Sequence, residues 1–263
     1  MDIHFHKYQG TGNDFIILDN RNGLYSHLGT NTVNFLCDRK FGIGADGLML
    51  LNKHDEYDFE MIYFNADGRE GSMCGNGGRC LVKFAYDNGI KKTEYHFIAT
   101  DGPHIAEIDL KGLVRLKMKD VSGIKDNTDH FILNTGSPHY VHFVQHLDEL
   151  NVKKEGSKIR YSDDFAAEGI NVNFVETIDD HTIFVRTYER GVENETLSCG
   201  TGVTAAALVS AHNENSFNEI DVQTPGGRLS VEFEVSNNKD YSNIWLCGPA
   251  EFVFKGEIVL QNT

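Results

Sequence analysis

The sequence has few positive charges and no long apolar run, and these two absences narrow the class of protein. It carries 24 Lys and Arg residues against 39 Asp and Glu, which gives a formal net charge of −15. Binding to nucleic-acid phosphates needs a basic face, so nucleic acid is not an expected partner. No apolar segment approaches the length of a membrane span, and the start, MDIHFHKYQG, lacks the basic and apolar regions of a signal peptide. We therefore expect a cytoplasmic protein that does not bind membranes.

The five cysteines lack the spacing of a disulfide framework or of a zinc site. Their number is odd, no Cys-x-x-Cys occurs, and the 12 histidines show no ligand spacing beside them. A pyridoxal-type lysine motif is also absent. We therefore expect no metal site and no cofactor. Cys37, Cys80 and Cys247 lie in apolar or strand-like segments and are expected to be small buried hydrophobes.

A Cys-Gly-x-Gly motif occurs twice, in MCGNGGRC at residues 73–80 and in SCGTGVTA at residues 198–205. The two cysteines, Cys74 and Cys199, are 199 − 74 = 125 residues apart. Four other pairs recur in the same order at offsets of 124 to 127: Thr11 with Thr135, Gly42 with Gly169, Tyr63 with Tyr188, and Thr100 with Thr224. Glycine-containing turns are common and can match by chance, but chance does not readily give five matches in the same order at nearly one offset. We therefore predict two structural repeats of about half the chain each.

Alternating polar and apolar residues predict a strand-rich α+β (α/β) fold. The segments DIHFHKY, DFEMIYF, HTIFVRTY and RLSVEFEV alternate in this way, and Gly, Asn, Asp and Pro between strands favour antiparallel hairpins. A helix is expected after each Cys-Gly-x-Gly motif, the first ending near Asn88-Gly89 and the second buried, and a third over NTVNFLCDR. We assign residues 1–122 to an N-terminal half, which the C-terminal strand 251–263 joins, and residues 123–250 to a C-terminal half.

A cysteine at the start of a helix is suited to acid–base chemistry. The first turn has unpaired N–H groups and the positive end of the helix dipole, which together bind anions and favour a thiolate. If two related halves face each other, the carbon beside a bound carboxylate has one sulfur on each side. Such a pair would remove a proton from one face and return one to the other, with the two thiols titrating as a coupled pair. The motifs therefore predict racemisation or epimerisation.

Over its whole length the chain resembles the diaminopimelate epimerase family. The resemblance is carried by GTGNDF (10–15), FNADG (64–68), MCGNGGRC (73–80), YERG (188–191) and SCGTG (198–202). It implies cofactor-independent interconversion of LL- and meso-2,6-diaminopimelate, a step of bacterial lysine and peptidoglycan-precursor synthesis. It also implies two similar halves related by pseudo-twofold symmetry, each with a strongly curved, mainly antiparallel sheet around a central helix.

The resemblance implies a role for each site residue. Cys74 and Cys199 would be the acid–base groups, with Glu189 and His139 adjusting their proton balance. The reacting carboxylate would be held by the backbone of Gly75, Asn76, Gly200 and Thr201. The distal end of the substrate would be recognised by Asn13, Asn65, Asn171 and Arg190, with Glu189 meeting an ammonium group. The chain departs from many members at Gly47 (glutamine in some), Ser137 (often asparagine) and Arg69 (often serine).

Several alternatives stay open at this point. A proline or hydroxyproline racemase of the same fold would share the second motif but typically has histidine in place of Asn76. A same-fold isomerase would lack the cysteine pair, and a non-catalytic module that binds amino acids or dicarboxylates would not need two thiols. Asn13, Asn65 and Asn171 could instead be turn residues. Glu189 and Arg190 could form a surface ion pair, and His139 could be an exposed loop residue. The expected partner is a small-molecule substrate, and a homodimer is compatible with the sequence.

Overall fold

The computed structural model describes residues 2–71, 73–212, 215–236 and 240–260, and strands dominate it. The strands in these ranges are β1 Asp2–Gly10, β2 Asn13–Asp19, β3 Gly47–Asn52, β4 Phe59–Asn65, β5 Glu70–Gly71, β6 Glu94–Ala99, β7 Gly102–Ile108, β8 Val114–Lys117, β9 Lys125–Asp126, β10 Phe131–Asn134, β11 Pro138–Phe143, β12 Asn171–Thr177, β13 Thr182–Glu189, β14 Asn194–Thr196, β15 Phe217–Thr224, β16 Gly227–Val235, β17 Tyr241–Gly248 and β18 Glu251–Val259. The helices are α1 Thr30–Cys37, α2 Gly75–Asp87, α3 Val152–Arg160 and α4 Gly200–Val209, with a 3-10 turn at Leu147–Glu149. The mixed, strand-rich α+β class predicted from the sequence is confirmed. Among the described helices, none has the length and apolar character that crossing a membrane would need.

The chain divides into two compact units. The first contains the described residues of Met1–Leu116 and of Pro249–Thr263, and the second contains those of Lys117–Gly248. The sequence-based boundaries were drawn after residues 122 and 250, and the last three residues of the predicted C-terminal strand, 261–263, lie outside the described part of the chain.

Within the first unit the strands pair in a definite order. β1 is antiparallel to β2 and to β18, β2 is parallel to β3, and β3 is antiparallel to β4. β4 is antiparallel to β5 and parallel to β6, and β6, β7 and β8 continue as antiparallel neighbours. Each parallel pair has a helix in its connection, because the chain must cross back before a parallel strand can form.

The second unit repeats this pairing order. β10, β11, β12 and β13 pair as β1, β2, β3 and β4 do, including the parallel pair β11–β12. β13 is antiparallel to β14 and parallel to β15, and β15, β16 and β17 follow as antiparallel neighbours. The offset also agrees with the repeat, since α4 begins 200 − 75 = 125 residues after α2 and β12 begins 171 − 47 = 124 residues after β3. The symmetry axis and the curvature of the sheets stay predictions.

The helices that follow the Cys-Gly-x-Gly motifs are the central helices of their units. α2 packs against β1, β2, β3 and β7, and α4 packs against β11, β12, β13 and β16. α2 ends at Asp87, and Gly89, at φ +102°, takes the left-handed conformation that glycine tolerates. α4 is buried along most of its length, from Val203 to Leu208. Both helices and the third, α1, confirm the sequence-based prediction.

Neither α3 nor the four parallel strand pairs were predicted from the sequence. α3 has the sequence VKKEGSKIR, which is mostly charged and has a glycine in its interior, so no apolar periodicity marks it. Gly156 is there because the helix lies very close to β13: a Cβ at this position would be 2.4 Å from Tyr188 Cβ. Packing against the sheet, rather than helix propensity, therefore stabilises this helix.

Candidate active site

Cys74 and Cys199 occupy the same position, the N-cap, of α2 and α4 respectively. Both have an extended backbone, with φ −96° and ψ 130° at Cys74 and φ −116° and ψ 109° at Cys199. Cys74 is half-buried and Cys199 is 8% exposed. The first-turn N–H groups that follow each cysteine have no acceptor in their own helix, and the positive end of the dipole lies there. Each unit therefore has a sulfur beside an anion-binding helix end.

In the first unit, Asn13 connects Cys74 to the first turn of α2. Its Oδ1 lies 3.5 Å from Cys74 Sγ and accepts a hydrogen bond of 3.3 Å from Asn76 Nδ2. Its Nδ2 donates to Asp46 Oδ2 at 2.7 Å. Asn76 Oδ1 in turn accepts from Arg79 Nη2 at 3.0 Å. The structure thus brings three predicted residues together and adds Asp46 and Arg79, which the sequence analysis missed.

The carboxylate that orients Asn13 belongs to a charged cluster. Arg39 donates to Asp46 Oδ1 at 2.8 Å and to Asp14 Oδ1 at 2.6 Å, and Lys7 Nζ lies 2.8 Å from Asp14 Oδ2. Burial raises the pKa of Asp14, but the hydrogen bonds from Arg39 and Lys7 outweigh it and lower that pKa to about 2. Asp14 is therefore ionised at neutral pH, and it holds Arg39, which also donates to the Asp46 carboxylate that accepts from Asn13.

Arg79 is a fully buried arginine in the first turns of α2. Its Nη1 donates to the Gly75 carbonyl at 3.4 Å, in addition to the bond to Asn76. A Cβ on Gly10 would lie 3.4 Å from Arg79 Nη2, so the guanidinium is at ordinary van der Waals distance from this position of β1. An arginine that follows a Cys-Gly-x-Gly motif in an otherwise small and apolar segment is the sequence signal that could have identified it.

In the second unit, His139 lies on β11 and is fully buried, so the exposed-loop alternative is wrong. Its Nε2 is 2.9 Å from Ser137 Oγ and its Nδ1 is 3.1 Å from Asn173 Nδ2. Burial, and then the positive charge of Arg190, lower the pKa of His139 to about 3. The imidazole is therefore neutral at neutral pH.

A path of hydrogen bonds leads from His139 to Cys199 through two hydroxyl groups. Ser137 Oγ lies 3.2 Å from Thr201 Oγ1, which lies 3.5 Å from Cys199 Sγ. Thr135 fixes the same turn of α4, because its hydroxyl donates to the Thr201 carbonyl at 2.8 Å. Ser137 thus lies between the buried histidine and the first turn of the motif helix.

Asn171 and Arg190 are adjacent in the same unit. The Arg190 main-chain N–H donates to Asn171 Oδ1 at 2.9 Å, and Asn171 Nδ2 donates to Ser137 Oγ at 3.0 Å. The Arg190 side chain is exposed and donates to the Glu168 carbonyl at 2.9 Å. Glu189, at the end of β13, accepts a 3.0 Å hydrogen bond from the Thr196 hydroxyl.

Asn65 lies apart from these contacts, at the end of β4 where the turn to β5 begins. It is exposed; its main-chain N–H donates to Arg69 O and its carbonyl accepts from Gly68 N, both at 2.9 Å. Gly47 has a packing role, because a Cβ there would be 2.5 Å from Tyr63 Cε2. The ring of Tyr63 therefore occupies the space that a longer residue at position 47 would need.

Gly202, the second glycine of the Cys199 motif, leaves room for a buried amide. A Cβ at this position would lie 2.3 Å from Asn173 Oδ1 and 3.4 Å from His139 Cε1. Asn173 is fully buried, so its amide has no space to move aside. The motif therefore needs glycine at position 202, because α4 packs closely against His139 and Asn173 there.

The other three cysteines are buried, as predicted. Cys37, Cys80 and Cys247 are 4%, 0% and 2% exposed. Burial raises the pKa of the Cys37 and Cys80 thiols to about 12, so both stay protonated at neutral pH. They have the environment of small hydrophobic residues rather than of reactive thiols.

Comparison with known proteins gives one consistent result. The solved structure of a phenazine biosynthesis protein of the PhzF family from Bacillus anthracis has a TM-score of 0.76 at 16% identity, covering 99% of this chain and all of that one. A hydroxyproline epimerase from Agrobacterium vitis has a TM-score of 0.68 at 13% identity, covering 99% of this chain and 93% of that one. At these identities the likeness concerns the fold alone.

Sequence comparison is more specific. A relative from Flavobacterium psychrophilum named diaminopimelate epimerase is 49% identical over 97% of this chain and 100% of its own length. Another with the same name, from Chlorobaculum tepidum, is 44% identical over 95% of this chain and 99% of its own. The family profile described as diaminopimelate epimerase matches residues 5–122 and 131–253. This chain therefore belongs to the diaminopimelate epimerase family.

Proposed function

We propose that this protein interconverts LL- and meso-2,6-diaminopimelate, with Cys74 and Cys199 as its two acid–base groups. The observation that carries the proposal is that both cysteines are N-caps of equivalent helices, one in each unit, 199 − 74 = 125 residues apart. Each unit thus supplies one helix N-terminus and one cysteine sulfur. Two such groups suit a reaction in which a proton leaves one face of a carbon and another arrives on the opposite face.

The proton balance of the reaction is simple. A thiolate takes the α-proton, so that the C–H bond breaks and an S–H bond forms. The electron pair stays on the α-carbon, and the other cysteine, as thiol, then donates its proton to the opposite face and becomes the thiolate. After one turnover the two sulfurs have exchanged protonation states, and proton exchange with water restores the starting state, while no electron leaves the substrate. The proposal therefore includes no cofactor.

The helix ends would hold the reacting carboxylate. The N–H groups at Gly75 and Asn76 in α2, and at Gly200 and Thr201 in α4, are in the first turns that follow the cysteines. Positive dipole ends stabilise the negative charge that develops as the α-proton leaves, and they do so without rearranging. Binding and transition-state stabilisation would thus use the same groups.

The distal end of diaminopimelate carries a second carboxylate and ammonium group. We assign its recognition to Asn13, Asn65, Asn171 and Arg190, with Glu189 for the ammonium group and Glu189 and His139 adjusting the cysteines. The exposed guanidinium of Arg190 supports this, because its planar fork matches a carboxylate. An ordinary surface ion pair between Glu189 and Arg190 would predict no such substrate preference.

In the cell, this reaction would supply lysine and peptidoglycan-precursor synthesis. We assign the protein to the cytoplasm, with a small-molecule substrate and with neither nucleic acid nor membrane as partner. A homodimer stays a prediction that sedimentation of the purified chain would test.

The proposal is tested by proton NMR of LL-diaminopimelate in D2O with purified, reduced protein and no added cofactor. We expect the meso isomer to appear with deuterium at the inverted α-carbon. Exchange with proline or hydroxyproline but not with diaminopimelate would move the chain to the racemase alternative. Tight binding of diaminopimelate without any exchange would support the binding-module alternative and overturn the proposal.

A further inference from the structure

The polarity of the hydrogen bonds around Ser137 can be traced from main-chain groups, whose donors and acceptors are unambiguous. The Arg190 main-chain N–H donates to Asn171 Oδ1 at 2.9 Å, which fixes the orientation of the Asn171 amide. Asn171 Nδ2 must then donate, and it lies 3.0 Å from Ser137 Oγ and 3.2 Å from the Pro138 carbonyl. Ser137 therefore receives one hydrogen bond from Asn171.

A second chain of fixed polarity reaches Ser137 through the buried histidine. Asn173 Nδ2 donates to the Tyr140 carbonyl at 3.0 Å, and Asn173 Oδ1 accepts from the Thr187 hydroxyl at 3.0 Å. The remaining N–H of Asn173 points at His139 Nδ1, 3.1 Å away, so this nitrogen is an acceptor. The proton of the neutral ring is therefore on Nε2, which donates to Ser137 Oγ at 2.9 Å.

The histidine keeps this tautomer at neutral pH. A protonated ring would have an N–H at Nδ1 that faces the Asn173 N–H, and His139 is fully buried. Burial and the charge of Arg190 lower the pKa of His139 to about 3, in agreement with a ring that stays neutral.

These two incoming bonds determine where the Ser137 proton goes. A hydroxyl accepts two hydrogen bonds and donates one, and both acceptor positions of Ser137 are filled by Asn171 and His139. Its proton must therefore point at Thr201 Oγ1, 3.2 Å away. Thr201, which accepts this bond, has its own proton to donate to Cys199 Sγ at 3.5 Å.

We propose that Ser137 is a positioning residue that turns the Thr201 hydroxyl toward Cys199 and thereby stabilises the thiolate of this cysteine. A hydrogen bond to the charged form of an acid favours that form. The inference rests on the proposed function in assigning Cys199 an acid–base role. Other titratable or charged groups on the surrounding elements are His139 on β11 and Glu189 and Arg190 at the end of β13, and a substitution of Ser137 leaves all three in place.

The test is the pH dependence of Cys199 alkylation by iodoacetamide, followed on the peptide that contains Cys199 by mass spectrometry. In Ser137→Ala the Thr201 hydroxyl is released, so we expect the alkylation midpoint to rise by about one pH unit. Thr201→Val removes the donor itself and should raise the midpoint by at least as much. Ser137→Thr keeps a hydroxyl and should restore most of the original midpoint.

The double variant separates this role from a merely structural one. Because Ser137 acts through Thr201, adding Ser137→Ala to Thr201→Val should shift the midpoint no further than Thr201→Val alone. Ser162→Ala is a matched control, since Ser162 is also half-buried in the second unit and its hydroxyl donates to the Ile159 carbonyl at 2.8 Å. This control should leave the midpoint unchanged.

Three outcomes would overturn the inference: an unchanged midpoint in Ser137→Ala, an unchanged midpoint in Thr201→Val, or additive shifts in the double variant. Should Ser137→Ala fail to fold, Thr201→Val and Ser137→Thr still decide the question. Alkylation requires no turnover, so the two claims can fail separately. A shifted midpoint in a protein that does not epimerise diaminopimelate would support the role of Ser137 and reject the proposed function. An active enzyme whose midpoints do not shift would support the function and reject the role of Ser137.

Discussion

The side-chain amide oxygen of Asn13 lies 3.5 Å from the sulfur of Cys74. The amide cannot be reversed without placing its oxygen against the Asp46 carboxylate, which the Asn13 N–H group contacts at 2.7 Å. An acceptor oxygen stabilises a thiol, which can donate, and repels a thiolate. Cys199 instead lies beside the Thr201 hydroxyl, so the two motif cysteines have neighbours of opposite hydrogen-bonding character.

Asn13→Leu should make Cys74 more acidic, because it removes the acceptor while nearly keeping the side-chain volume. We expect the midpoint of the pH dependence of Cys74 alkylation to fall by about 0.5–1 unit, the equivalent of one ordinary hydrogen bond. Asn34→Leu, which removes an exposed asparagine amide on α1 of the same unit, serves as the control. An unchanged or raised midpoint in Asn13→Leu would contradict the assignment of Asn13 as an acceptor for the thiol.

Cys74→Ala and Cys199→Ala should each abolish most epimerisation, since each removes the proton carrier for one face of the substrate. General acid–base groups contribute factors of about 10²–10⁴, so we expect kcat/KM to fall at least ~100-fold in either variant. Cys37→Ala, at a buried position at the end of α1, is the control for losing a thiol. Full activity in Cys74→Ala or Cys199→Ala would rule out the two-base mechanism.

Gly202→Ala should destabilise the second unit through a clash that cannot relax. Its Cβ would lie 2.3 Å from the buried Asn173 Oδ1, and moving that amide breaks its hydrogen bonds, so we expect a loss of about 2 kcal/mol or more. The matched variant Gly77→Ala, at the same place in the Cys74 motif, puts its Cβ 3.2 Å from the flexible Met49 thioether. Urea unfolding should show the larger loss for Gly202→Ala, and equal losses would mean that the Asn173 amide can move.

The repeat explains why so much of the fold could be predicted. Two copies of one pattern constrain each other, so the helices α2 and α4 and their N-cap cysteines were identified from a motif and an offset. Local alternation identified strands such as β1 and β13. What it could not identify was which strands pair in parallel, because pairing depends on the crossover and not on the strand's own residues. The mostly charged α3 was missed for a related reason, since packing at Gly156 sustains it.

The site was predictable in its reactive atoms and much less so in the groups around them. A cysteine in a glycine frame is a local signal. The hydrogen bonds from Asn173 through His139 and Ser137 to Thr201 join residues that are distant in the sequence, and of these four only Thr201 lies in a distinctive motif. The burial of His139 also could not be predicted from the sequence, because a histidine that follows Pro138 resembles a loop residue until the strand pairing is known.

Arg190→Lys should weaken substrate binding more than it slows the chemistry. Lysine keeps the positive charge but loses the planar fork that matches a carboxylate, so we expect KM for diaminopimelate to rise about tenfold or more with a smaller change in kcat. Arg21→Lys, an exposed arginine paired with Asp19 in the first unit, is the control. A fall in kcat at constant KM would place Arg190 at the reacting end of the substrate instead.

His139→Gln should reduce the loss of stability in mild acid. The pKa of His139 is lowered to about 3 by burial and Arg190, so between about pH 6.5 and pH 3 the unfolded chain binds a proton that the folded chain does not. The stabilisation is fully present above pH 6.5 and is lost as the pH falls, at up to ~1.4 kcal/mol per unit. Glutamine does not titrate, so the variant's stability should depend less steeply on pH in this window.

The single tryptophan, Trp245, lies in the second unit and reports its unfolding by fluorescence in urea at pH 7 and pH 5. His27→Gln, an exposed histidine of the first unit, is the control, and equal slopes for His139→Gln and the unsubstituted protein would show that His139 is protonated in the folded state.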